Sequence, residues 1–322
     1  MNNEARKILG IHHVTAITGD AQQNLDFYAG ILGMRLVKLT VNFDDPSAYH
    51  LYYGNDVGRP GTILTFFAWP RAGQGRQGTA QATAVSLSIP QGSMGYWMDR
   101  LKEYDVTTEG PFDRFDEEVI CFCDPDGLQL ELVEHAATEK RNGWLKGPVL
   151  DHHVLRGICG VTIAEQAFAL TARMMIEVLG FRCVKRAGSL FRFEMGRGGP
   201  GARIDLQYNP DRSRGLVACG TVHHVAWRTT DNEEHRAWRG ILVENKVNVT
   251  PIIDRRYFHS IYFREPGGVL FEIATDGPGF TIDEAADRLG TSLVLPPWLE
   301  KNRSRIEKTV RPLNLKREFQ RA

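Results

Sequence analysis

Along the chain, short stretches with every second residue apolar are punctuated by single amphipathic segments, and the order recurs. Residues 11–18, Ile-His-His-Val-Thr-Ala-Ile-Thr, have the composition of a strand. Residues 20–32 follow as an amphipathic helix with Leu25, Tyr28, Ala29 and Leu32 on one face, stopped by Gly33. Residues 34–42, 48–53 and 62–69 then read as strands divided by Gly, Pro and Asp turns. The same unit returns over about 83–134, with its helix near 92–104, and again over about 157–208 and 219–275. Stretches 73–81 and 138–156 read as connectors. Residues 281–322 lie outside the pattern, and their motif Leu295-Pro-Pro-Trp-Leu-Glu300 predicts a helical tail packed on the body or on a neighbouring subunit.

Direct repetition supports this division. Residues 10–38 open Gly-Ile-His-His-Val-Thr and close Ile-Leu-Gly-Met-Arg-Leu-Val-Lys; 147 positions on, residues 157–185 open Gly-Ile-Cys-Gly-Val-Thr and close Val-Leu-Gly-Phe-Arg-Cys-Val-Lys. At an offset of 141, Asp124-Pro-Asp-Gly-Leu-Gln-Leu-Glu131 matches Glu265-Pro-Gly-Gly-Val-Leu-Phe-Glu272, and Asp113-Arg114 matches Asp254-Arg255. Repetition reports architecture, and the places where copies differ report chemistry. One copy keeps its histidines and the other has lost them.

Composition narrows the class. The 322 residues suggest two domains on length alone, and 42% apolar with 24% charged residues describes an ordinary globular protein. The 39 basic and 39 acidic side chains cancel, so nothing favours nucleic acid or an anionic membrane as partner. The start, Met-Asn-Asn-Glu-Ala-Arg-Lys, has no apolar signal core, and no run of about 18 apolar residues occurs. Five scattered cysteines (Cys121, Cys123, Cys159, Cys183, Cys219) make a disulfide framework improbable and fit a cytoplasmic location.

Histidine pairs carry the candidate chemistry. His152-His153 lies in a connector and reads as a surface feature. His12-His13 and His223-His224 instead occupy the first strand of units one and four. Strict alternation lets one histidine of each pair face a given side. His12 shares a face with Val14 and Ala16, and His223 with Val225 and Trp227, so His13 and His224 are expected to face a cleft. Glu272, inside Val-Leu-Phe-Glu-Ile-Ala on the last strand of unit four, is costly to bury unless paired or bound to a cation. Two imidazoles and a carboxylate form the set that holds non-haem Fe(II) with open positions. The equivalents in the other copy are Gly160, Thr83, Cys121 (for Tyr262) and Glu131; that second cup reads as vestigial, with Glu131 structural. It follows that units one and four must meet. Gly196, Gly198 and Gly201 fit Gly-x-Gly-x-x-Gly, but between two strands, where a hairpin turn is the better reading.

These residues resemble the vicinal oxygen chelate superfamily, also called the glyoxalase, bleomycin-resistance and ring-cleaving dioxygenase superfamily. Within it, Leu-Gly-Ile-His-His-Val-Thr, Tyr-His-Leu-Tyr-Tyr-Gly and Tyr-Phe-His-Ser-Ile-Tyr-Phe-Arg-Glu-Pro-Gly-Gly-Val-Leu-Phe-Glu are most similar to the hydroquinone ring-cleaving dioxygenases. The resemblance, over about residues 8–277, implies an α+β fold of four βαβββ modules forming two cupped mixed sheets. The chain then divides into a first half at 1–140, a connector at 141–156, a second half at 157–280 and a tail at 281–322. It implies ligation of Fe(II), or else Mn(II), by His13, His224 and Glu272, with Thr15, His12, His223, Arg255 and Tyr262 around the substrate. The expected partners are an aromatic diol, hydroquinone- or catechol-type, and O2, and a homo-oligomer is possible. Catechol-type relatives take their first histidine from unit three, where this chain has Cys159-Gly160, which favours the hydroquinone type. Tyr262 is the expected proton donor, Arg255 the holder of developing negative charge, and His12 and His223 supporting groups or proton relays.

Two other functions compete. A glyoxalase-like metal-dependent isomerase or lyase would need a fourth ligand or carboxylate base on the last strand of the partner module, which reads Thr-Ile-Leu-Thr-Phe-Phe-Ala-Trp, without an acid. A non-catalytic protein that binds an aromatic compound would have no need of all three ligand types.

Overall fold

The repeats fold as four copies of one unit. A computed structural model describes residues 8–136, 141–166 and 168–315; the distal tail 316–322, the N-terminal 1–7 and part of the 138–156 connector lie outside the described residues. Unit one contributes β1 (Ile11–Thr18), β2 (Arg35–Val41), β3 (Tyr49–Gly54) and β4 (Ile63–Ala68), and unit two β5 (Gln81–Pro90), β6 (Thr108–Arg114), β7 (Glu117–Cys123) and β8 (Gln129–His135). Unit three supplies β9 (Gly157–Glu165), β10 (Arg182–Ala187), β11 (Leu190–Glu194) and β12 (Arg203–Tyr208); unit four supplies β13 (Val222–Thr229), β14 (Ile253–Asp254), β15 (Phe258–Arg264) and β16 (Leu270–Pro278).

Each unit lays its last strand parallel to its first, with the helix as crossover. Two eight-stranded mixed sheets result, ordered β14-β15-β16-β13-β1-β4-β3-β2 and β10-β11-β12-β9-β5-β8-β7-β6. The fold is therefore α+β, two cupped sheets of βαβββ units. The halves 1–140 and 157–280 describe the repeat, whereas each sheet joins one unit from either half. Units one and four meet through antiparallel β1 and β13, and units two and three through β5 and β9.

The first helix departs from the amphipathic segment expected over 20–32. An α-turn at Ala21–Leu25, capped by Asp20, widens into a π-helix at Asp26–Ile31. The wider turn buries Phe27 beside Tyr28, while Ala29 is only half-buried. Gly33 ends it at φ +67°, where a side chain would strike Val149. Gly196, Gly198 and Gly201 lie in the hairpin between β11 and β12, as their position between strands suggests. The tail holds short helices at Pro297–Glu300 and Arg303–Thr309, and packs Leu295, Ile306 and Val310 onto the core. Buried Lys38 on β2 ties it down through Asp283 and Glu284. No helix among the described residues is long and apolar enough to cross a membrane.

The repeated Asp/Glu-Pro-x-Gly motif has a physical reason. Asp124 accepts the amides of Asp126 and Leu128, and Glu265 those of Gly267 and Val269, so each carboxylate closes the turn into the last strand. Glu265 also takes the Thr171 hydroxyl, while buried Glu165 at the end of β9 lies beside it. Burial, and then the Glu265 carboxylate, push the Glu165 carboxyl up to about 8. The folded chain thus keeps a proton that an unfolded one releases near pH 4.5, and stability from this pair is lost as pH rises toward 8. Glu165→Gln should raise the thermal midpoint by at least about 2 °C near pH 8.5 and change it little near pH 5, checked by calorimetry.

Candidate metal centre

The β1–β13 pairing sets the distances on which the site depends. Thr15 lies opposite His224, His13 opposite Ala226, and Ala226 next to Glu272 on parallel β16. The side chains of His13, His224 and Glu272 converge: ligand atoms from all three lie within 4.8 Å of one another. His13 Nε2 is 3.4 Å from His224 Nε2 and 3.4 Å from Glu272 Oε2, and His224 Nε2 is 2.9 Å from the same oxygen. All three are buried, Glu272 completely.

Hydrogen bonds around the cluster decide which atoms are free. His12 Nε2 lies 3.1 Å from the Thr275 carbonyl, which can only accept, so His12 must donate there and accept at Nδ1. His13 Nδ1, 2.8 Å away, therefore carries a hydrogen, and its Nε2 presents a lone pair to the cluster. His224 Nδ1 meets His223 Nδ1 at 2.7 Å, one of the two donating to the other. Ser260 Oγ donates to Glu272 Oε1 at 2.5 Å, which leaves Oε2 facing the two histidine nitrogens.

Two ring nitrogens and a carboxylate oxygen thus crowd together in the interior. Burial opposes ionisation of Glu272, yet the facing imidazoles of His13 and His224 hold its carboxyl well below the usual range. Burial also lowers the His224 pKa, against the pull of Glu272, so that imidazole resists becoming the cation the carboxylate needs. A divalent cation between them satisfies both demands. The residues fit a metal of the 2-His-1-carboxylate class.

Strict alternation does not describe the histidine pairs. Ile11 pairs with Trp227 and His13 with Ala226, so His12 is the extra residue of a β-bulge; Thr15 pairs with His224 and Ala16 with Val222, so His223 is another. A bulge brings two successive side chains toward one side. His223 consequently lines the cavity with His224, against the expectation that it packs beneath the helices with Val225 and Trp227. His12 stays buried, turned to the Thr275 carbonyl and the edge of Phe258. The bulge at Cys159 persists in the other sheet without a histidine.

A cavity of about 450 Å³ opens on the cluster, lined by His13, Thr15, His223, His224, Arg255 and Tyr262, with Phe67 and Phe258 as apolar walls. Tyr262 lies opposite Glu272 on β15, and burial followed by the Glu272 charge keeps its phenol protonated far into the alkaline range. Arg255 Nε donates to the Tyr262 oxygen at 3.2 Å, and its Nη1 donates to Asp44 at 2.8 Å on the rim. A larger cavity of about 690 Å³, under tail residues Val310–Leu313, holds no ligand cluster. Sequence alone gives no role to Asp44, His50, Thr65, Phe67 or Phe258, although all but Asp44 lie in segments quoted above.

The second cup is closed. Arg114, the repeat of Arg255, donates to both oxygens of Glu131 at 2.7 and 2.8 Å, and Arg192 does the same to Asp205. Only about 10 Å³ remains there. His152 and His153 pack together far from either cup, where His153 stacks on Tyr96, and all five cysteines are free thiols.

Comparison with known proteins finds relatives over nearly the whole chain. Residues 10–132 and 167–273 match the family model described as "Glyoxalase/Bleomycin resistance protein/Dioxygenase superfamily". The chain is 44% identical over 312 residues, 97% of its length and 99% of the relative's, to "Putative ring-cleaving dioxygenase MhqO" of Bacillus subtilis. It is 34% identical over 312 residues, 94% of its length and 96% of the relative's, to "Chlorohydroquinone/hydroquinone 1,2-dioxygenase" of Sphingobium indicum. The crystal structure of a "putative dioxygenase" from Bacillus subtilis superposes with a TM-score of 0.93 at 43% identity, covering 98% of this chain and 100% of that one.

Mutations separate the two cups. His224→Ala should abolish binding of a divalent ion in a metal titration, whereas Glu131→Gln should leave stoichiometry and affinity unchanged. His12→Phe, which removes the acceptor for His13 Nδ1–H, should weaken metal affinity about 10–100-fold.

Proposed function

The chain belongs to the glyoxalase/bleomycin resistance protein/dioxygenase superfamily, and from that membership we propose that it cleaves the ring of a hydroquinone-type aromatic diol with O2, using Fe(II) held by His13, His224 and Glu272. The observation that carries this reading is a three-donor set whose fourth position has no ligand. Thr15 pairs with Thr65 on β4 just as Ala226 pairs with Glu272 on β16, so the counterpart of the carboxylate is a hydroxyl. Such a set leaves coordination positions open for a substrate oxygen and for O2. The names of two relatives, a ring-cleaving dioxygenase and a hydroquinone 1,2-dioxygenase, support the reaction class.

Bound there, Fe(II) would supply a redox link between an electron-rich ring and O2. The protein's own groups do the rest. Phe67 and Phe258 wall the ring, and burial of the cluster keeps bulk water from it. Tyr262, protonated and tethered by Arg255, is placed to give a hydrogen bond or a proton to a substrate oxygen. Arg255 holds negative charge as it develops near the Tyr262 oxygen. His12 fixes the orientation of His13; His223, anchored at Nδ1, has its other ring nitrogen for the cavity. Mn(II) accepts the same donors, and catechols share the diol chemistry.

The test is anaerobic Fe(II) loading followed by oxygen-electrode assays across substituted hydroquinones and catechols. Oxygen uptake should require both metal and diol, with hydroquinones preferred. Turnover without oxygen would instead indicate the isomerase, which the hydroxyl at Thr65 disfavours. Tyr262→Phe should lower kcat about 10²–10⁴-fold while metal binding is kept, read from steady-state rates beside a metal titration.

A further inference from the structure

Units one and four meet at the β1–β13 pairing, and several polar positions on their outer strands correspond. Tyr52 stands opposite Thr65 on β3 as Tyr262 stands opposite Glu272 on β15, which puts His50 where unit four has Ser260. In unit four Ser260 donates to a carboxylate that faces the metal position. In unit one His50 Nε2 lies 2.7 Å from Thr65 Oγ1, and Thr65 Oγ1 donates to Thr15 Oγ1 at 3.1 Å. A hydroxyl has one hydrogen, so if Thr65 gives its own to Thr15, His50 must donate at Nε2. Burial, then the neighbouring His13 and His224, hold the His50 pKa well below its ordinary value, which keeps the ring neutral with a single N–H. Tyr52 and Phe67 hold its plane, with ring centroids 3.9 and 4.4 Å away. Thr15, already an acceptor from Thr65, has its own hydrogen left for the cavity it lines.

We infer that His50 is a positioning residue that, through Thr65, aims the Thr15 hydroxyl as a hydrogen-bond donor at an anionic oxygen of the bound ring. Where β16 of unit four offers a carboxylate to a cation, the equivalent strand of unit one offers a link in an ordered chain of donors to an anion. Each link polarises the next, and a preoriented donor in a buried site stabilises negative charge far better than a mobile one. The nature of the ring rests on the proposed function; the donor chain does not.

The test uses 4-nitrocatechol, whose absorption distinguishes its neutral and ionised forms, and enzyme loaded with redox-inert Zn(II), so that binding is read without turnover. His50→Leu should hold zinc as tightly as the parent while binding the ionised probe about tenfold more weakly, with a smaller ionised fraction in the spectrum. His50→Gln, which keeps a donor toward Thr65, should recover affinity to within about threefold. Thr65→Val, which removes the middle link with little change of shape, should reproduce the loss and decides the matter if His50→Leu fails to fold. Unchanged probe affinity and spectrum in a folded, zinc-replete Thr65→Val protein would overturn the inference. Parent enzyme that shows the probe effect but consumes no oxygen with any diol would uphold the donor chain and refute the proposed reaction.

Discussion

Antiparallel pairing of β1 with β13, strands from opposite ends of the chain, gathers three candidate ligands at the buried floor of one cavity. The pairing determines where His13 and His224 stand, and parallel β16 adds Glu272. The surrounding bonds then fix how the three are oriented. His12 and His223 take up the Nδ1 atoms, and Ser260 occupies one carboxylate oxygen. What remains is a buried carboxylate oxygen between two imidazole nitrogens, a set that positive charge suits. Backbone register therefore assembles a donor set that fits a cation, supported by neighbours outside the set.

Much of this was legible beforehand because it rested on periodicity and repetition. The four units, the meeting of units one and four, and the loss of histidines from one copy all follow from residue types at fixed offsets. Face assignment was less secure. Alternation gave the facing correctly for His13 and His224 but misplaced His223, because a bulge inserts a residue that no local composition announces. His50, Thr65 and Asp44 escaped notice for a different reason: their importance lies in what stands across a strand or over the rim, and that is a property of the tertiary pairing. The π-helix at Asp26–Ile31 was likewise hidden, since its burial of Phe27 beside Tyr28 reads in sequence as imperfect amphipathicity.

The bulges also show how duplication can be followed by specialisation. Both sheets keep the irregularity next to the first strand of a unit, at His12 and at Cys159. The backbone device thus belongs to the fold, and the imidazoles belong to one copy of it. Chemistry arises where side chains exploit a distortion that the architecture supplies in any case.

The Arg114–Glu131 pair gives this asymmetry a practical meaning. In the second cup the compensating charge is covalently part of the polypeptide, so that half of the molecule is indifferent to the supply of any diffusible ion. One sheet serves as permanent ballast for the other. The fold of that sheet is thus secured by ion pairs of its own, whatever the first cup contains.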